Sequence, residues 1–276
     1  MNIEVFFEKF EQLAETPGAV ERLRELVLQL AIRGKLTIQF SGESVRSQLE
    51  RIRKSESDGH QQDLLNLDES PYSLNLDESP FSIPGTWGWV RLGDAMTLVN
   101  GRAFKQEEWS TEGTPIIRIQ NLNNESAPFN RCSIEVDAKV HVNTGDFLIS
   151  WSGTPGTSFG AFIWNRGFAY LNQHIFRCEL VEGVFEKEFL RLAVNGRLDE
   201  MISQAQGAVG LRHITKGRLE NILLALPPLP EQKRIVTKVD QLTALVDRLG
   251  SQLAASRAAA ESLMSAFTSE LLSSKD

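Results

Sequence analysis

LPPLPEQKRIV, residues 226–236, decides how this chain is organised. Pro227, Pro228 and Pro230 fix three backbone φ angles and remove three N–H donors, so regular structure cannot run through the segment. Pro230 and Glu231 nevertheless suit the first turn of a helix, where the proline N–H is not needed and a carboxylate faces the positive end of the helix dipole. The stretch therefore predicts that a rigid connection ends, and a helix begins, at about Pro230.

The sequence after Pro230 has the pattern of one long helix with a single apolar seam. It contains no further proline and one glycine, Gly250. About 42 residues at about 1.5 Å each give a rod of roughly 63 Å. Its apolar positions alternate at four- and three-residue steps, the 3.5-residue repeat of a coiled coil. We call them the seam: Ile235, Val239, Leu242, Val246, Leu249, Leu253, Ser256, Ala260, Leu263 and Phe267. A rod of this length predicts a partner helix, from the same chain or from a second copy.

Residues 84–225 are rich in strand patterns. Short β-branched or aromatic runs are separated by Gly, Asn and Pro turns, as in PIIRIQNL (115–122), GDFLIS (145–150) and AFIWN (161–165). Residues 186–205 have helical spacing, in one or two short helices around Asn195-Gly196. The fold class predicted is α+β: one mixed globular domain, a long coiled-coil-forming C-terminal helix and a short N-terminal helical segment.

The N-terminal third predicts two helices and a linker. Helices are expected over residues 3–15 and 18–33, the second followed by Gly34 as a C-terminal glycine. A polar linker then carries LNLDESPYS (65–73) and its near copy LNLDESPFS (74–82). Two copies are too few for a solenoid, so we interpret the repeat as a local duplication. The predicted divisions are 1–40, 41–83, 84–226 and 227–276.

Composition and charge exclude several classes of protein. Two cysteines cannot form a disulfide framework and favour a reducing compartment. No stretch approaches the roughly 20 apolar residues of a membrane span, and the acidic N-terminus is not typical of a signal peptide, so a cytoplasmic protein is expected. The net charge of −7 comes mainly from residues 1–83, with 9 Lys+Arg against 15 Asp+Glu; residues 84–225 hold 14 against 15. A near-neutral middle does not bind DNA tightly by charge alone.

Motifs for catalysis, cofactors and metals are absent from the sequence. There is no phosphate-binding P-loop, no dinucleotide fingerprint and no metal spacing among the four histidines. Glu231-x-Lys233 matches half of a nuclease motif but lacks a strand and a nearby Asp. Gly153-Thr154-Pro155-Gly156 and Gly207-x-x-Gly210 fit turns better than phosphate cradles. We therefore expect no catalytic residue, no metal and no cofactor.

Several stretches together resemble one protein family. LPPLPEQKRIVTKVDQLTALVDRL (226–249) resembles the helix start of specificity (S) subunits of Type I restriction–modification systems. The further similar stretches are LRELVLQLAIRGKL (23–36), WGWVRLGDAMTLVNGRAF (87–104), GDFLIS (145–150), LNQHIFRCEL (171–180) and GLRHITKGRLENILLALPPLPEQ (210–232). The resemblance covers nearly the whole chain, and the proline–EQ combination is its most specific part.

The resemblance implies a DNA-reading scaffold without catalysis. In this family a target recognition domain reads half of a split site in double-stranded DNA, and a long spacer helix docks methyltransferase (modification) subunits. A translocating restriction subunit joins the complex. The family usually has two recognition domains and two spacer helices, whereas one of each is found here, so the chain resembles a half-length form. We expect two copies to pair with antiparallel helices and to read a palindromic split site.

Candidate DNA-contacting residues lie in the loops of residues 84–225. Arg pairs with guanine and Asn or Gln pairs with adenine, whereas Lys suits phosphates. Arg102 and Lys105 suit phosphates, and Gln120, Asn121 and Arg212 suit base edges. The full set is Arg102, Lys105, Gln120, Asn121, Asn123, Ser152, Thr154, Arg212 and His213. Asn172 and Gln173 fit a structural role, and Trp87, Trp89, Trp151 and Trp164 fit the core.

Two other functions stay open from the sequence. One is a truncated, partner-only module that binds modification subunits without reading DNA, which the near-neutral middle allows. The other is a self-contained nuclease, which metal-dependent cleavage by the purified chain would reveal.

Overall fold

A computed structural model describes residues 18–57, 79–153, 159–197 and 212–273, together with the isolated Ile202. The chain divides into two compact units. We call residues 32–236 the mixed unit, and residues up to 31 together with those from 237 onward the helical unit. The predicted helix over residues 3–15 lies outside the described residues.

The mixed unit is built from short strands and short helices. Its helices are α2 (Arg46–Ser57), α3 (Leu92–Ala95), α4 (Ile119–Asn123), α5 (Lys187–Asn195) and α6 (Lys216–Glu220), with 3₁₀ turns at Gln106–Glu108 and Ala138–Val140. Its strands are β1 (Gly88–Arg91), β2 (Met96–Asn100), β3 (Thr114–Ile117), β4 (Asn130–Cys132), β5 (His141–Val142), β6 (Phe147–Ser150), β7 (Ser152–Gly153), β8 (Gly160–Ile163), β9 (Ala169–Leu171), β10 (Ile175–Leu180), β11 (Arg212–His213) and β12 (Leu223–Leu226). This α+β composition confirms the predicted fold class.

Four small sheets organise these strands. Two have four strands, in the orders β2-β10-β6-β8 and β4-β3-β9-β5, and two are the pairs β1-β12 and β7-β11. All of these pairings are antiparallel except β3 with β9. The β1–β12 pair joins Gly88 to Leu226, so the strand before the proline segment returns to the start of the domain.

The core of the mixed unit draws on both four-stranded sheets. Leu148 and Ile175 from one sheet are fully buried in the same apolar cluster as Ile117 and Leu171 from the other. Trp164 and Trp87 are also buried, as the sequence analysis expected of them. Because both sheets contribute to one cluster, the described ends of their strands are held together by a shared core.

Two segments differ from the sequence reading. The run PIIRIQNL was read as strand, but β3 ends at Ile117 and α4 follows within two residues. Residues 46–57, placed by the sequence reading in a polar linker, form α2, in which Ile52 and Gln48 are buried. In both segments contacts with residues distant in sequence determine the structure. A polar composition or a β-branched run in the local sequence does not reveal such contacts.

The helical unit contains α1 (Ala19–Ile32) and most of α7 (Leu229–Ser273), a helix of 45 residues. α1 matches the predicted helix 18–33, and Gly34 follows it with φ +67° as a C-terminal glycine. Val20 of α1 lies against Gly250 of α7: a Cβ on that glycine would lie 3.1 Å from the Val20 Cγ2 atom. The single glycine of the rod therefore marks a close approach of the two helices.

Burial of the seam changes along α7. Ile235 and Val239 are buried, whereas Leu263 and Phe267 are 72% and 60% exposed. Between them Leu242, Val246, Leu249 and Leu253 are half-buried, and Ala260 is exposed. Within the part of the chain that the structure describes, no helix is both long enough and apolar enough to cross a membrane.

Candidate nucleic-acid interface

The turn of residues 172–174, between β9 and β10, is the point at which the predicted DNA-contacting loops meet. The Asn172 N–H donates to the Ile117 carbonyl at 3.1 Å, which joins the turn to the start of α4. The Arg102 N–H donates to the Leu171 carbonyl at 3.0 Å, which joins it to the loop after β2. The NGRAFK and RIQN segments therefore both lie beside this turn.

Two further predicted loops are joined to the same turn. The Trp151 N–H donates to the His174 carbonyl at 3.4 Å, and the Ile214 N–H donates to the Trp151 carbonyl at 3.1 Å. In the β7–β11 pair, Arg212 lies opposite Gly153. All four loop segments proposed from sequence therefore converge, although up to about 110 residues separate them along the chain. β-sheet pairing, not sequence proximity, brings them together.

A cleft of about 290 Å³ of free space opens at this convergence. Phe104 forms its apolar part and stacks on Tyr170 with ring centroids 6.2 Å apart. Trp109 is 43% exposed, and the Arg118 guanidinium lies 5.8 Å from its ring centroid. Gln120, Asn172, Gln173 and His174 supply hydrogen-bonding groups. A cleft with aromatic rings, a guanidinium and carboxamides has the chemistry that recognises nucleobases.

Lys105 and Arg102, the residues predicted to contact phosphates, differ in how much of their positive charge is available to a ligand. Lys105 is exposed beside the cleft. Arg102 is half-buried: it forms an ion pair with Glu108 and lies over the Phe104 ring at 4.6 Å. The bond from Arg102 and one from the Lys105 backbone N–H hold the pKa of the Glu108 carboxyl below its usual value. Because Glu108 stays ionised, it offsets the charge of Arg102.

The three predicted residues of α4 have separate environments. Gln120 is exposed in the cleft, and within the described residues its carboxamide has no hydrogen-bond partner. Asn121 is fully buried: its Oδ1 accepts from the Arg118 N–H and its Nδ2 donates to two carbonyls downstream. Asn123 is exposed, and its Nδ2 donates to the Ile119 carbonyl of its own helix at 3.1 Å. Asn121 is therefore a structural residue here, and we leave it out of the proposed contact set.

The remaining predicted contacts lie around β7 and β11. Ser152 is 3% exposed. Thr154 lies outside the described residues, as do the side chains of Arg212 and His213, whose backbone forms β11. The Asn172 backbone N–H bonds to the Ile117 carbonyl, and the residue lines the cleft. Gln173 is exposed, with its Nε2 3.0 Å from the His174 Nε2 atom.

A second polar cluster surrounds the start of α7. Glu231 is fully buried, and its carboxylate accepts three hydrogen bonds. The donors are Thr37 Oγ1 at 2.9 Å, Gln39 Nε2 at 2.9 Å and Trp87 Nε1 at 2.8 Å. The Glu-x-Lys half motif thus holds a structural carboxylate. This finding provides no support for the nuclease alternative.

Gln232 completes this cluster. Its Nε2 donates to the Val184 and Pro227 carbonyls, and its Oε1 accepts from the Glu186 N–H at 2.7 Å. Gln48 of α2 donates to the same two carbonyls. The two glutamines therefore satisfy the Pro227 carbonyl of the proline segment and the Val184 carbonyl of a loop outside it. These bonds give Gln232 of the LPPLPEQ stretch a structural role.

The model of the family described as "Type I restriction modification DNA specificity domain" matches residues 84–255, more than half of the chain. The chain belongs to this family.

Two curated relatives are named specificity subunits of Type I restriction enzymes. The EcoBI specificity subunit of Escherichia coli is 32% identical over 175 residues, which cover 62% of this chain and 35% of the relative. The EcoAI specificity subunit of the same species is 24% identical over 254 residues, which cover 88% of this chain and 43% of the relative. This chain therefore spans less than half the length of these specificity subunits.

A solved structure supports the fold. It is described as "Structural basis underlying complex assembly and conformational transition of the type I R-M system", and it aligns with a TM-score of 0.53 at 22% identity. The match covers 88% of this chain and 54% of that one. The specificity-domain fold of this chain, with mixed sheets and a long C-terminal helix, is thus shared with a known Type I protein.

Sequence reasoning missed two members of the cleft. Trp109 and Arg118 lie on different loops and form a cation–π pair, which the local sequence does not reveal. The sequence did show a Trp and an Arg in these loops, and an exposed Trp near an Arg is typical of nucleic-acid surfaces. The tertiary structure was needed to place them beside Gln120.

Proposed function

We propose that this specificity domain reads one half of a split site in double-stranded DNA. The observation that carries the proposal is the convergence of four polar loop segments on the turn of residues 172–174, around an aromatic- and carboxamide-lined cleft. We take residues 84–226 as the target recognition domain and residues 227–276 as the spacer helix. The proposed contact set from the described side chains is Lys105 and Gln120, with Arg102 at its edge; Asn123 is left out because its amide donates to the Ile119 carbonyl of its own helix.

The chain performs no chemistry in this proposal. Methyltransferase subunits dock on it and modify the DNA that it selects, and a restriction subunit joins the assembly. Support comes from the names of the relatives and from the burial of Glu231, the acid of the half nuclease motif.

Single-molecule methylome sequencing tests the DNA-reading role. Cells expressing this chain with its cognate modification subunit are compared with cells expressing the modification subunit alone. We expect a new, split and palindromic methylated motif. A split asymmetric motif would mean that another chain supplies the second recognition domain. A stable complex with no new motif would favour the partner-only module instead.

The proposal also includes pairing of two copies through α7. Its basis is the exposed second half of the seam, where Leu263 and Phe267 face solvent at 72% and 60% exposure. Antiparallel pairing would cover these side chains and relate two recognition domains by a two-fold axis.

Sedimentation of the purified chain tests the pairing. Leu263→Asp combined with Phe267→Asp should convert a dimer into a monomer, because two charges would be buried in the seam. Ser265→Asp, on another face of the same helix, is the matched control and should leave the dimer intact. A wild-type chain that sediments as a monomer at all concentrations contradicts the pairing but not the DNA-reading role.

A further inference from the structure

Gln120 is the carboxamide of the cleft that is both exposed and held on a fixed backbone. It lies in the first turn of α4, and its carbonyl accepts from the Asn124 N–H at 3.0 Å. The buried side chain of its neighbour Asn121 bonds to the Arg118 N–H and to the Ala127 and Pro128 carbonyls. α4 is therefore anchored at the position beside Gln120. A rigid backbone of this kind keeps the cost of ordering the side chain on binding low.

The surroundings of Gln120 suit the edge of a base pair. Trp109 lines the same cleft and is 43% exposed, and an apolar ring contacts a thymine methyl group favourably. Lys105 is exposed on the neighbouring loop, where an ammonium suits a phosphate. A Gln side chain makes paired hydrogen bonds to the N6 and N7 positions of adenine in the major groove.

The other polar candidates nearby are already engaged. The Asn123 amide donates to the Ile119 carbonyl, and the Arg102 guanidinium is ion-paired with Glu108. Asn121 is buried and fully bonded. Among the described carboxamides that the sequence proposed as DNA contacts, Gln120 is thus the one whose donor and acceptor both remain open to a ligand.

We infer that Gln120 is a specificity-determining residue, which reads the adenine of an A·T pair within the half-site. This inference rests on the proposed function, because it assigns one base of the site that the specificity domain reads. Trp109 contacts the thymine of the same pair, and Lys105 holds a neighbouring phosphate.

The experiment is methylome sequencing of cells that carry the modification subunit with wild-type chain, Gln120→Ala, Gln120→Glu or Asn123→Ala. In Gln120→Ala we expect one A·T position of each half-site to become degenerate, with discrimination there falling about 10- to 100-fold. In Gln120→Glu the preference at that position should move toward cytosine, because a carboxylate accepts from the cytosine N4 amino group. Asn123→Ala, on the same helix, should leave the motif unchanged.

The methylome results distinguish failure of the Gln120 inference from failure of the proposed function. A Gln120→Ala motif identical to that of the wild type overturns the inference while the DNA-reading role stands. Loss of all methylation in both Gln120 variants, in chains that melt like wild type and co-purify with the modification subunit, also overturns it, because that pattern indicates a role other than base discrimination. A wild-type chain that yields no motif instead contradicts the proposed function itself.

Discussion

Gln232 and Gln120 have the same side chain and opposite environments. Gln232 is fully buried, and its donor and acceptor bond to Val184, Pro227 and Glu186. Gln120 is exposed at the cleft, with no partner for its carboxamide among the described residues. The hydrogen bonds of Gln232 hold the start of α7 in place within the mixed unit. Gln120 lies at the surface where the predicted loops converge.

Burial and bonding, rather than residue type, separate structural from recognition side chains here. A buried polar group that loses its partner costs the free energy of desolvation, whereas an exposed one exchanges its partner for water at little cost. Substitutions in the cluster around Glu231 and Gln232 should therefore reduce stability. Substitutions in the cleft should change DNA selection with stability unchanged. The following measurements, in order of expected effect, test that separation.

Glu231→Ala should have the largest effect on stability. It removes the buried acceptor of three donors, the buried Trp87 indole and the half-buried Thr37 and Gln39 side chains. We expect the free energy of unfolding to fall by about 3–5 kcal/mol, measured by urea denaturation. Glu107→Ala, which removes an exposed carboxylate, is the control and should change it by less than about 0.5 kcal/mol. A Glu231→Ala chain as stable as this control would show that the buried network contributes nothing.

Gln232→Ala should reduce the free energy of unfolding by about 2 kcal/mol, because the Glu186 N–H loses its acceptor and the Val184 and Pro227 carbonyls keep only the Gln48 side chain as donor. Its counterpart is Gln173→Ala in the exposed turn, for which less than about 0.5 kcal/mol is expected. Thermal melting of both variants provides the comparison. Equal losses of stability in the two variants would contradict the distinction between buried and exposed glutamines.

Glu43→Gln tests the ion pair at the next turn of α7. Arg234 donates to both carboxylate oxygens of Glu43 at 2.7 Å, and this bonding holds the Glu43 pKa below its ordinary value of 4.5. A lowered folded-state pKa contributes stability above about pH 4.5, and the contribution is lost as the pH falls through the folded pKa. We expect wild type to exceed Glu43→Gln by up to about 1 kcal/mol at pH 7, and the difference to vanish in acid. A difference that does not depend on pH would contradict this assignment.

Asp247→Asn should have the smallest effect. Arg24 Nη2 lies 2.7 Å from Asp247 Oδ1 in the helical unit, but both side chains are about half exposed. Exposed ion pairs contribute less than about 1 kcal/mol and are screened by salt. We expect a change below about 0.5 kcal/mol that disappears in 1 M NaCl. A larger, salt-independent loss would show that this pair is more than a surface contact.

Much of the secondary structure could be predicted because its signals are local. The period of the seam predicted a helix from about Pro230, and α7 begins at Leu229. Gly34, proposed as a C-terminal glycine, has the positive φ that the role requires. α4 was missed because its five residues carry the β-branched and polar types of a strand end, and its geometry depends on the buried side chain of Asn121.

The sequence proposed loops for DNA contact, and which of their residues contact DNA stays a prediction. Turn residues at strand ends made these loops recognisable, and long-range backbone bonds join their described parts. Local sequence does not distinguish Gln120, which is exposed, from Asn121, which is fully buried beside it. Adjacent positions on a short helix face different directions, so their burial depends on what the rest of the chain places around them.

The sequence by itself determined the helix start, the rod and its seam, because proline stereochemistry and helical periodicity act within a few residues of the chain. Only the tertiary structure decided what the polar residues do. The partners of Glu231 lie 194, 192 and 144 positions away along the chain. The loops around the cleft are likewise joined by long-range backbone bonds. Burial and hydrogen bonding are properties of the packed chain, so they fix which glutamine stabilises the fold and which remains open to a ligand.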